Sequence, residues 1–448
     1  MLTVPEAQSR VHDLVAQAKR IGADAADALY VCAESTSVSM RLGALEDVER
    51  SEGETIGLRL FVGKRSASVS SSDLSAHALG ALVDRAVAMA REAPEDAYAG
   101  LAPEDRLLKG TAPDLDADDG AIVPPEALKA RALAAEDAAR AVSGVTNSEG
   151  ASASAGRTII ALATSHGFAG GYASSGHGCS ASVIAGEGAG MQRDYEYRSV
   201  RHLADLEGPE AIGRRAGERA VARLNPARFG SGALPILFDP RAGSSLLGHL
   251  IGAITGSSVA RRTSFLLEAL GTQIFAPGIT ITDDPLRLRG LGSKPFDGEG
   301  LPTARRDLIA DGVLTGWLLD SASARQLGLA PTGNASRGIG GPPGAGTTNL
   351  HLAAGPLSPA ELMRDVKRGL YVTELIGQGV NPVTGDYSRG AAGFLIEDGE
   401  IAAAVDEITI AGNLKDMFRA LVPASDLEYR RSVEVPTIRI DGMTIAGA

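Results

Sequence analysis

The segment GFLIEDGEIAAAV, residues 393–405, decides how the C-terminal half of this 448-residue chain folds. Asp398-Gly399 stands there between two apolar runs. This dipeptide is typical of a type I′ hairpin turn, which needs positive φ at both central residues. Two further pairs lie between strand-like runs, Asp311-Gly312 and Asp441-Gly442. The pattern predicts a β-rich C-terminal domain made of hairpins over residues 229–448.

Two shorter regions precede this domain, and both have the order helix, strand-like runs, helix. In residues 1–110, apolar side chains recur at helical spacing near the start, and glycines then separate runs of alternating polarity. Residues 111–228 repeat the order after a linker rich in proline and aspartate. The sequence therefore predicts an α+β fold: two helix-plus-antiparallel-sheet units followed by the β-rich domain.

Charge and cysteine content exclude several classes of protein. The net charge of −12 comes without any cluster of lysine and arginine, so we expect no direct contact with nucleic acid or with a membrane surface. Two cysteines do not build a disulfide scaffold. The first residues lack the basic and apolar regions of a signal peptide, and no apolar stretch is long enough to span a bilayer. We expect a cytoplasmic protein.

The common catalytic motifs are absent from the sequence. None of the seven histidines precedes glutamate, and no two are three or four residues apart, so no helical zinc-binding pair exists. There is no GxSxG elbow. His166, His177 and Cys179 form the one tight group of metal-ligating residue types, set among glycines. Polar residues at glycine-rich turns explain this group more simply than a metal site does, and the chain's own motifs predict no bound metal or other cofactor.

A helix is predicted after Ser244-Ser245, and its glycines recur every four residues. Gly248, Gly252 and Gly256 lie on one helical face. Each glycine lowers helix stability by roughly 1 kcal/mol relative to alanine, so a close approach of another backbone is expected there. Packing within one core would explain the strip, and so would packing at a subunit interface or against a bound peptide.

Two polar loops are candidate contacts for a partner or a peptide. TGNASRG (332–338) and NPVTGDYSRG (381–390) set polar and charged residues among glycines between apolar elements, a common composition for binding sites. Turn chemistry is the alternative explanation, above all for the asparagines and aspartate, which hydrogen-bond their own backbone. The candidate contact residues are Asn334, Arg337, Asn381, Asp386, Tyr387 and Arg389.

Long motifs over the whole chain resemble the TldD/PmbA family. In the C-terminal region these are GSSLLGHLIGAITGSSVARRTSFL (243–266), RGLGSKPFDGEGLPTARRDLIADGVLTGWLLD (289–320), GLYVTELIGQGVNPVTGDYSRGAAGFLIEDGEI (369–401) and PTIRIDGMTIAG (436–447). The segment LEDVERSEGETIGLRLFVGKRSASVSSSD near the start is similar to the N-terminal domain of the same family.

The resemblance implies a subunit that does not bind zinc. TldD-type chains of the family carry a zinc helix with the motif HExxxH and a distant cysteine ligand, whereas TldE/PmbA-type chains lack these ligands. Here Gly248 occupies the first histidine position, His249 the glutamate position and Ala253 the second histidine position, and no cysteine follows Cys179. Zinc is therefore expected in a TldD-type partner subunit, and the chain alone is expected to be catalytically inactive.

Three hypotheses follow for the function. The first is a pseudoenzyme subunit that completes a heteromeric zinc peptidase acting on unfolded peptides and that forms a homodimer when alone. The second is a stand-alone metallopeptidase with an atypical site at His166, His177 and Cys179. The third is a non-catalytic homodimeric module with a binding or regulatory role.

Overall fold

The N-terminal half is built on one antiparallel sheet with the strand order β3-β2-β1-β4-β5-β6. The computed structural model of the protein describes residues 2–447. The strands are β1 (Ala25–Arg41), β2 (Ala44–Val62), β3 (Arg65–Ser71), β4 (Val145–Thr164), β5 (Ala169–Ala185) and β6 (Gln192–Val200). The helices are α1 (Val4–Arg20), α2 (Ala76–Glu92), α3 (Pro125–Arg140) and α4 (Pro209–Ala222).

Both predicted helix-plus-sheet units exist, and they share this sheet. The first unit holds β1 to β3 and the second β4 to β6. They join where β1 pairs with β4, from Asp27 opposite Thr164 to Met40 opposite Ala151. A continuous sheet leaves no open strand edge between the units. The sheet contains strands from both sides of the boundary predicted at residue 110. The boundaries at residues 110 and 228 stay predictions.

The two faces of this sheet have different partners, as the alternation of side chains along β1 shows. Tyr30 and Cys32 pack with α1 and α2, and Val38 further along β1 packs with α3. On the opposite face Leu29 packs against Phe296 of the C-terminal half. The helices therefore cover one face, and the C-terminal domain docks against part of the other.

Up to residue 447, the C-terminal half contains two larger sheets and a short two-stranded one. One has the order β10-β9-β8-β13-β18, and the other β16-β15-β14-β7-β19-β17. Their strands are β7 (Gly232–Phe238), β8 (Ile281–Asp283), β9 (Arg306–Ala310), β10 (Val313–Leu314), β13 (Leu350–Leu352), β14 (Arg368–Ile376), β15 (Asp386–Glu397), β16 (Glu400–Asn413), β17 (Val422–Pro423), β18 (Val433–Glu434) and β19 (Ile438–Ala446). The two-stranded sheet pairs β11 (Ala335–Ser336) with β12 (Gly344–Ala345).

Helices fill the space beside these sheets, and all but α8 share one large apolar core with them, whereas α8 packs in a smaller apolar cluster. They are α5 (Pro240–Ile254), α6 (Gly256–Ala260), α7 (Ser321–Leu327), α8 (Pro359–Met363) and α9 (Leu414–Ala420). The prediction of a β-rich C-terminal region is confirmed. No helix within residues 2–447 is long and apolar enough to cross a membrane.

Two of the three predicted Asp-Gly hairpins are confirmed. Asp398 has φ 48° and Gly399 φ 88° in the turn between β15 and β16. The pair at residues 311–312 forms the turn between β9 and β10 in the same way. The third prediction is wrong, since Asp441-Gly442 lies inside β19 at a bulge opposite β7. A bulge uses the positive φ of Gly442 without reversing the chain.

The helix predicted to carry the three glycines differs from the prediction in its start, its end and the burial of its glycines. It begins earlier, because Asp239 caps it and Pro240 occupies its first turn. Its glycine strip is not uniformly buried. The helix ends at Ile254, so Gly256 lies in α6, where it fits closely against Ser323 of α7. Gly248 and Gly252 lie on α5 and are exposed, and a Cβ at either would meet open space. The expected close approach of another backbone within the chain is therefore wrong for these two.

Paired glycine-to-alanine variants will separate packing glycines from open ones. Gly213 of α4 lies against the carbonyl oxygen of Ala135 in α3, so Gly213→Ala should destabilise the protein by about 1–3 kcal/mol through overpacking. Gly248→Ala should instead stabilise it by up to about 1 kcal/mol, because alanine is the better helix former and nothing obstructs its Cβ. Urea unfolding measures both. Equal destabilisation would contradict the exposed position of Gly248.

Candidate functional site

Three side chains that the sequence singled out in different contexts come together beside α5. His249 lies on α5, whereas Tyr387 and Arg389 lie two residues apart on β15 and so on the same face of its sheet. The rings of His249 and Tyr387 meet edge to face with centroids 5.9 Å apart. Arg389 is close enough to act on the pKa of both. We call His249, Tyr387 and Arg389 the α5 cluster.

The α5 cluster carries a single positive charge at neutral pH. Burial, and secondly the charge of Arg389, lower the pKa of His249, so its imidazole is neutral at pH 7. Burial raises the pKa of Tyr387 to about 12, so its hydroxyl is protonated. The charge is therefore that of the Arg389 guanidinium.

Buried polar atoms of the cluster lack hydrogen-bond partners. Among residues 2–447, none forms a well-aligned hydrogen bond with His249 Nε2, Tyr387 Oη or Arg389 Nε. Tyr387 is 2% exposed, so bulk water does not serve its hydroxyl freely. An unsatisfied buried polar group costs about 1–3 kcal/mol, and native proteins keep few of them. Three in one place indicate a position where another molecule completes the hydrogen bonding.

Arg389 also lines a cavity of about 340 Å³ where the N-terminal sheet meets the C-terminal domain. Arg241 and Ser245 of α5 line it as well. Neither was predicted, although the spacing 241, 245, 249 places both on the helical face of His249 and is the signal that would have found them. The cavity therefore continues from the α5 cluster along α5.

Most cations around this cavity are neutralised within the chain. Arg241 Nη1 lies 2.9 Å from Asp194 Oδ1, and Arg223 Nη1 lies 2.6 Å from Glu374 Oε2. For Arg389, the described residues offer no carboxylate at ion-pair distance. The cavity thus combines balanced charges on its walls with one uncompensated guanidinium.

Asn334, Asn381 and Asp386 all make hydrogen bonds within the chain, most of them inside their own loops. The Asn334 amide donates to Asp283 at 3.1 Å, and its oxygen accepts from Thr332 at 2.9 Å. The Asn381 side-chain oxygen accepts hydrogen bonds from the backbone N–H groups of Val383 and Thr384 in the same loop. Asp386 accepts from the hydroxyl of a neighbouring threonine at 2.6 Å. Apart from the Asn334–Asp283 bond, which joins two distant segments, these bonds follow the turn chemistry that was the alternative explanation, and the predicted contact role of the three stays a prediction.

Arg337 lies away from the α5 cluster, in a buried ionic network between the two halves of the molecule. Its side chain is 1% exposed and pairs with Asp27 of β1, which also binds Arg59 of β2. Burial acts to raise the pKa of the Asp27 carboxyl, but the two guanidinium charges outweigh it and hold that pKa below its usual value. In this structure Arg337 joins the N-terminal sheet to the loop after β11 and presents no guanidinium to the surface.

Glu299 belongs to the same region, and burial there disfavours the charged form of its carboxyl group. Its carboxylate accepts from the backbone and the hydroxyl of Ser321 at 2.9 and 2.7 Å. Burial raises its pKa to about 7, with Asp297 adding to the shift and Arg59 opposing it. No sequence motif announced this residue, because its environment is made by chain segments far apart in sequence.

The alternative site at His166, His177 and Cys179 is not assembled. His166 lies in the turn before β5 and contacts the carbonyl oxygen of Ala102 at 2.7 Å. His177 lies eight residues along β5, roughly 25 Å away at strand spacing, beside Asp119 at 3.0 Å. Burial raises the pKa of Cys179 to about 11, so its thiol stays protonated. Across residues 2–447, no group of three or more His, Cys, Asp and Glu side chains is arranged for a metal ion.

Comparison with known proteins identifies the class of protein. Family models described as PmbA/TldA metallopeptidase domain 1, central domain and C-terminal domain match residues 26–90, 118–224 and 231–447. "Metalloprotease PmbA" of Escherichia coli O157:H7 is 42% identical over 448 residues, which cover 99% of this chain and 97% of that protein. The chain therefore belongs to the PmbA/TldD metalloprotease family.

Solved structures share the whole architecture. A candidate modulator of DNA gyrase from Bacteroides thetaiotaomicron has a TM-score of 0.92 at 28% identity and covers all of both chains. TldE from Thermococcus kodakarensis has a TM-score of 0.87 at 22% identity, covering 98% of this chain and 100% of its own, and this second likeness concerns the fold alone. The predicted family and fold class are both confirmed.

Two arginine variants should separate a structural role from a binding role. Arg337→Gln should lower the free energy of unfolding by about 3 kcal/mol, because it leaves part of the buried Asp27 charge uncompensated. Arg389→Gln should change it by less than about 1 kcal/mol, since no carboxylate depends on that guanidinium. Urea unfolding at neutral pH measures both. A larger loss for Arg389→Gln would show that Arg389 stabilises the fold.

Glu299→Gln should alter how stability depends on pH. The folded-state pKa of Glu299 lies above its unfolded value, so its contribution is fully present below about pH 4.5 and is lost as pH rises through about 7. Between pH 5 and 7 the wild type should lose on the order of 2 kcal/mol relative to the variant. Glu268→Gln, at an exposed glutamate, is the control and should follow the wild type. Parallel curves for wild type and Glu299→Gln would refute the shifted pKa.

Proposed function

We propose that this chain is the subunit without metal in a heteromeric zinc metalloprotease of the PmbA/TldD family. The partner would be a TldD-type chain that supplies zinc, the glutamate base and the activated water. This chain would complete the reaction chamber and help to hold an unfolded peptide in the cytoplasm. Family membership supports the protease connection, and the resemblance to TldE/PmbA-type chains supports the division of labour.

The chemistry of the α5 positions carries the proposal. Where TldD-type chains place their zinc motif, Gly248 and Ala253 offer no donor atom. His249 offers one imidazole, and the charge of Arg389 lies beside it. Zinc sites in catalytic proteins use three protein ligands, and a neighbouring cation opposes metal binding. The donor set at α5 therefore does not fit a zinc ion, which favours a partner as the source of the metal.

The surface beside α5 also supports a role in assembly or substrate contact. Gly248 and Gly252 are exposed on the helix that corresponds to the zinc helix of the partner type. Paired subunits of one family commonly assemble around a two-fold axis, which would bring corresponding elements close to one another. We also propose that the chain forms a homodimer when its partner is missing, because a surface that normally binds a subunit is left uncovered.

Cleavage should require both subunits. The chain alone should not hydrolyse an unstructured peptide above background, because the positions that would activate water on a metal lack the ligands. Mixed with a TldD-type chain of the same host, it should give cleavage that a chelator abolishes. Mass spectrometry of the peptide products measures the activity. Zinc content of the isolated chain, by elemental analysis, should be well below one equivalent.

The matched control is the TldD-type partner with the glutamate of its HExxxH motif replaced by glutamine. That mixture should assemble, as size-exclusion chromatography with light scattering will show, but it should not cleave. Chelator-sensitive cleavage by this chain alone, in preparations free of any partner, would refute the proposal. So would full activity of the partner without this chain.

A further inference from the structure

We propose that the α5 cluster, with the cavity beside it, is a binding site for a peptide carboxylate, in which Arg389 supplies the charge and Tyr387 a hydrogen bond. The inference rests on the proposed function only in taking a peptide as the molecule that carries the carboxylate. The site itself follows from the chemistry of three side chains. Neither the family resemblance nor the positions that correspond to the zinc motif assign a carboxylate site to them.

Charge selects an anion for this position. Arg389 brings the one charge of the α5 cluster, and the described residues supply no carboxylate to neutralise it. The other arginines of the cavity bind acids of the chain, Arg241 with Asp194 and Arg193 with Glu149. Arg389 is partly buried and its Nε is shielded from solvent, so an anionic ligand in the cavity gains an ion pair in surroundings less polar than bulk water.

The arrangement of the donor groups favours an anion that can accept several hydrogen bonds from different directions. Arginine presents a planar fork of donors that matches the two oxygens of a carboxylate. The Tyr387 hydroxyl is protonated and has no well-aligned partner among the described residues, although Arg389 lies within hydrogen-bonding range of its oxygen. His249 is neutral, so each of the two side chains has one hydrogen to donate to a ligand that reaches Arg389. A carboxylate beside Arg389 would satisfy buried polar atoms that the chain itself leaves unpaired.

The exposed glycines of α5 provide room for the rest of the peptide. Arg241, Ser245, Gly248 and Gly252 follow one another along the same helical face at intervals of three or four residues. The first two line the cavity, and the two glycines extend that face, where a Cβ on either glycine would have no neighbouring atom within 4 Å. An extended chain can therefore approach the helix backbone closely while its carboxylate reaches Arg389. Gly248 and Gly252 lower the stability of the helix, and the absence of their side chains leaves the surface of α5 open to a peptide.

The test is direct binding of short labelled peptides to the isolated full-length chain, measured by fluorescence anisotropy. One peptide of alanine, serine and glycine ends in a free carboxylate, a second ends in an amide, and a third ends in an amide but contains an internal glutamate. The free-acid peptide should bind at least about tenfold more tightly than the plain amide. Binding of the glutamate peptide like the free acid would assign the site to acidic side chains. Binding like the plain amide would assign it to peptide C-termini.

Four variants connect the affinity to the residues named. Arg389→Gln should weaken binding of the free-acid peptide about tenfold and leave the amide unchanged. Tyr387→Phe removes only the hydroxyl and should weaken the free acid roughly threefold or more. Arg193→Gln is the matched control, because Arg193 lines the same cavity but pairs with Glu149, and it should change affinity less than about threefold. Arg389→Lys, which keeps the charge, should recover part of the loss and serves if the glutamine variant does not fold.

Equal affinity of wild type for the free-acid and plain-amide peptides would overturn the inference, and so would an Arg389→Gln variant that binds both as wild type does. An equal loss of affinity for both peptides in the Arg389→Gln variant would also overturn it, since Arg389 would then contribute to peptide binding without recognising a carboxylate. These assays use no partner subunit. If the two-subunit protease fails but the carboxylate preference persists, the site stands alone; if cleavage requires both subunits but no preference is found, only the carboxylate site is lost.

Discussion

The arrangement of the whole molecule depends on the buried carboxylate of Asp27. It lies in the middle of the N-terminal sheet, on the strand that joins both helix-plus-sheet units, and it binds Arg59 of the same sheet and Arg337 of the C-terminal domain. A buried charge tolerates very few arrangements of its partners, because each lost ion pair leaves a charge without solvation. The network therefore fixes how the C-terminal domain sits on the sheet. Apolar packing of Leu29 against Phe296 surrounds the contact and excludes water.

That docking creates the cavity beside α5. Its walls come from β6 and the end of α4 on one side, and from α5, β14 and β15 on the other. The ion pairs of Arg241 with Asp194 and of Arg223 with Glu374 cross between these elements and neutralise the walls. Arg389 keeps a free charge as a result of the same geometry, since the nearby acids already have partners. The structural network and the proposed binding site are thus parts of one domain interface.

Three glycines of α5 and α6 and two loop arginines have surroundings that their local sequence does not reveal. Periodicity placed Gly248, Gly252 and Gly256 on one face of a helix, but it carries no information about what lies opposite that face. Only Gly256 meets a neighbour within the chain. In the same way, loop composition selected Arg337 and Arg389 together. Their surroundings separate them, because one meets a buried aspartate on a distant strand and the other meets two neutral rings.

The sequence by itself determined the α+β class, most of the hairpins, the family and the absence of the zinc motif from α5, because local patterns and long motifs are properties of contiguous residues. Tertiary structure alone decided that the two N-terminal units share one sheet, that Asp441-Gly442 forms a bulge, and that His166 stays far from His177. It also decided that His249, Tyr387 and Arg389 meet. Burial and electrostatics arise from residues distant in sequence, so which polar groups are satisfied, and which are left for a ligand, becomes visible only in the folded chain.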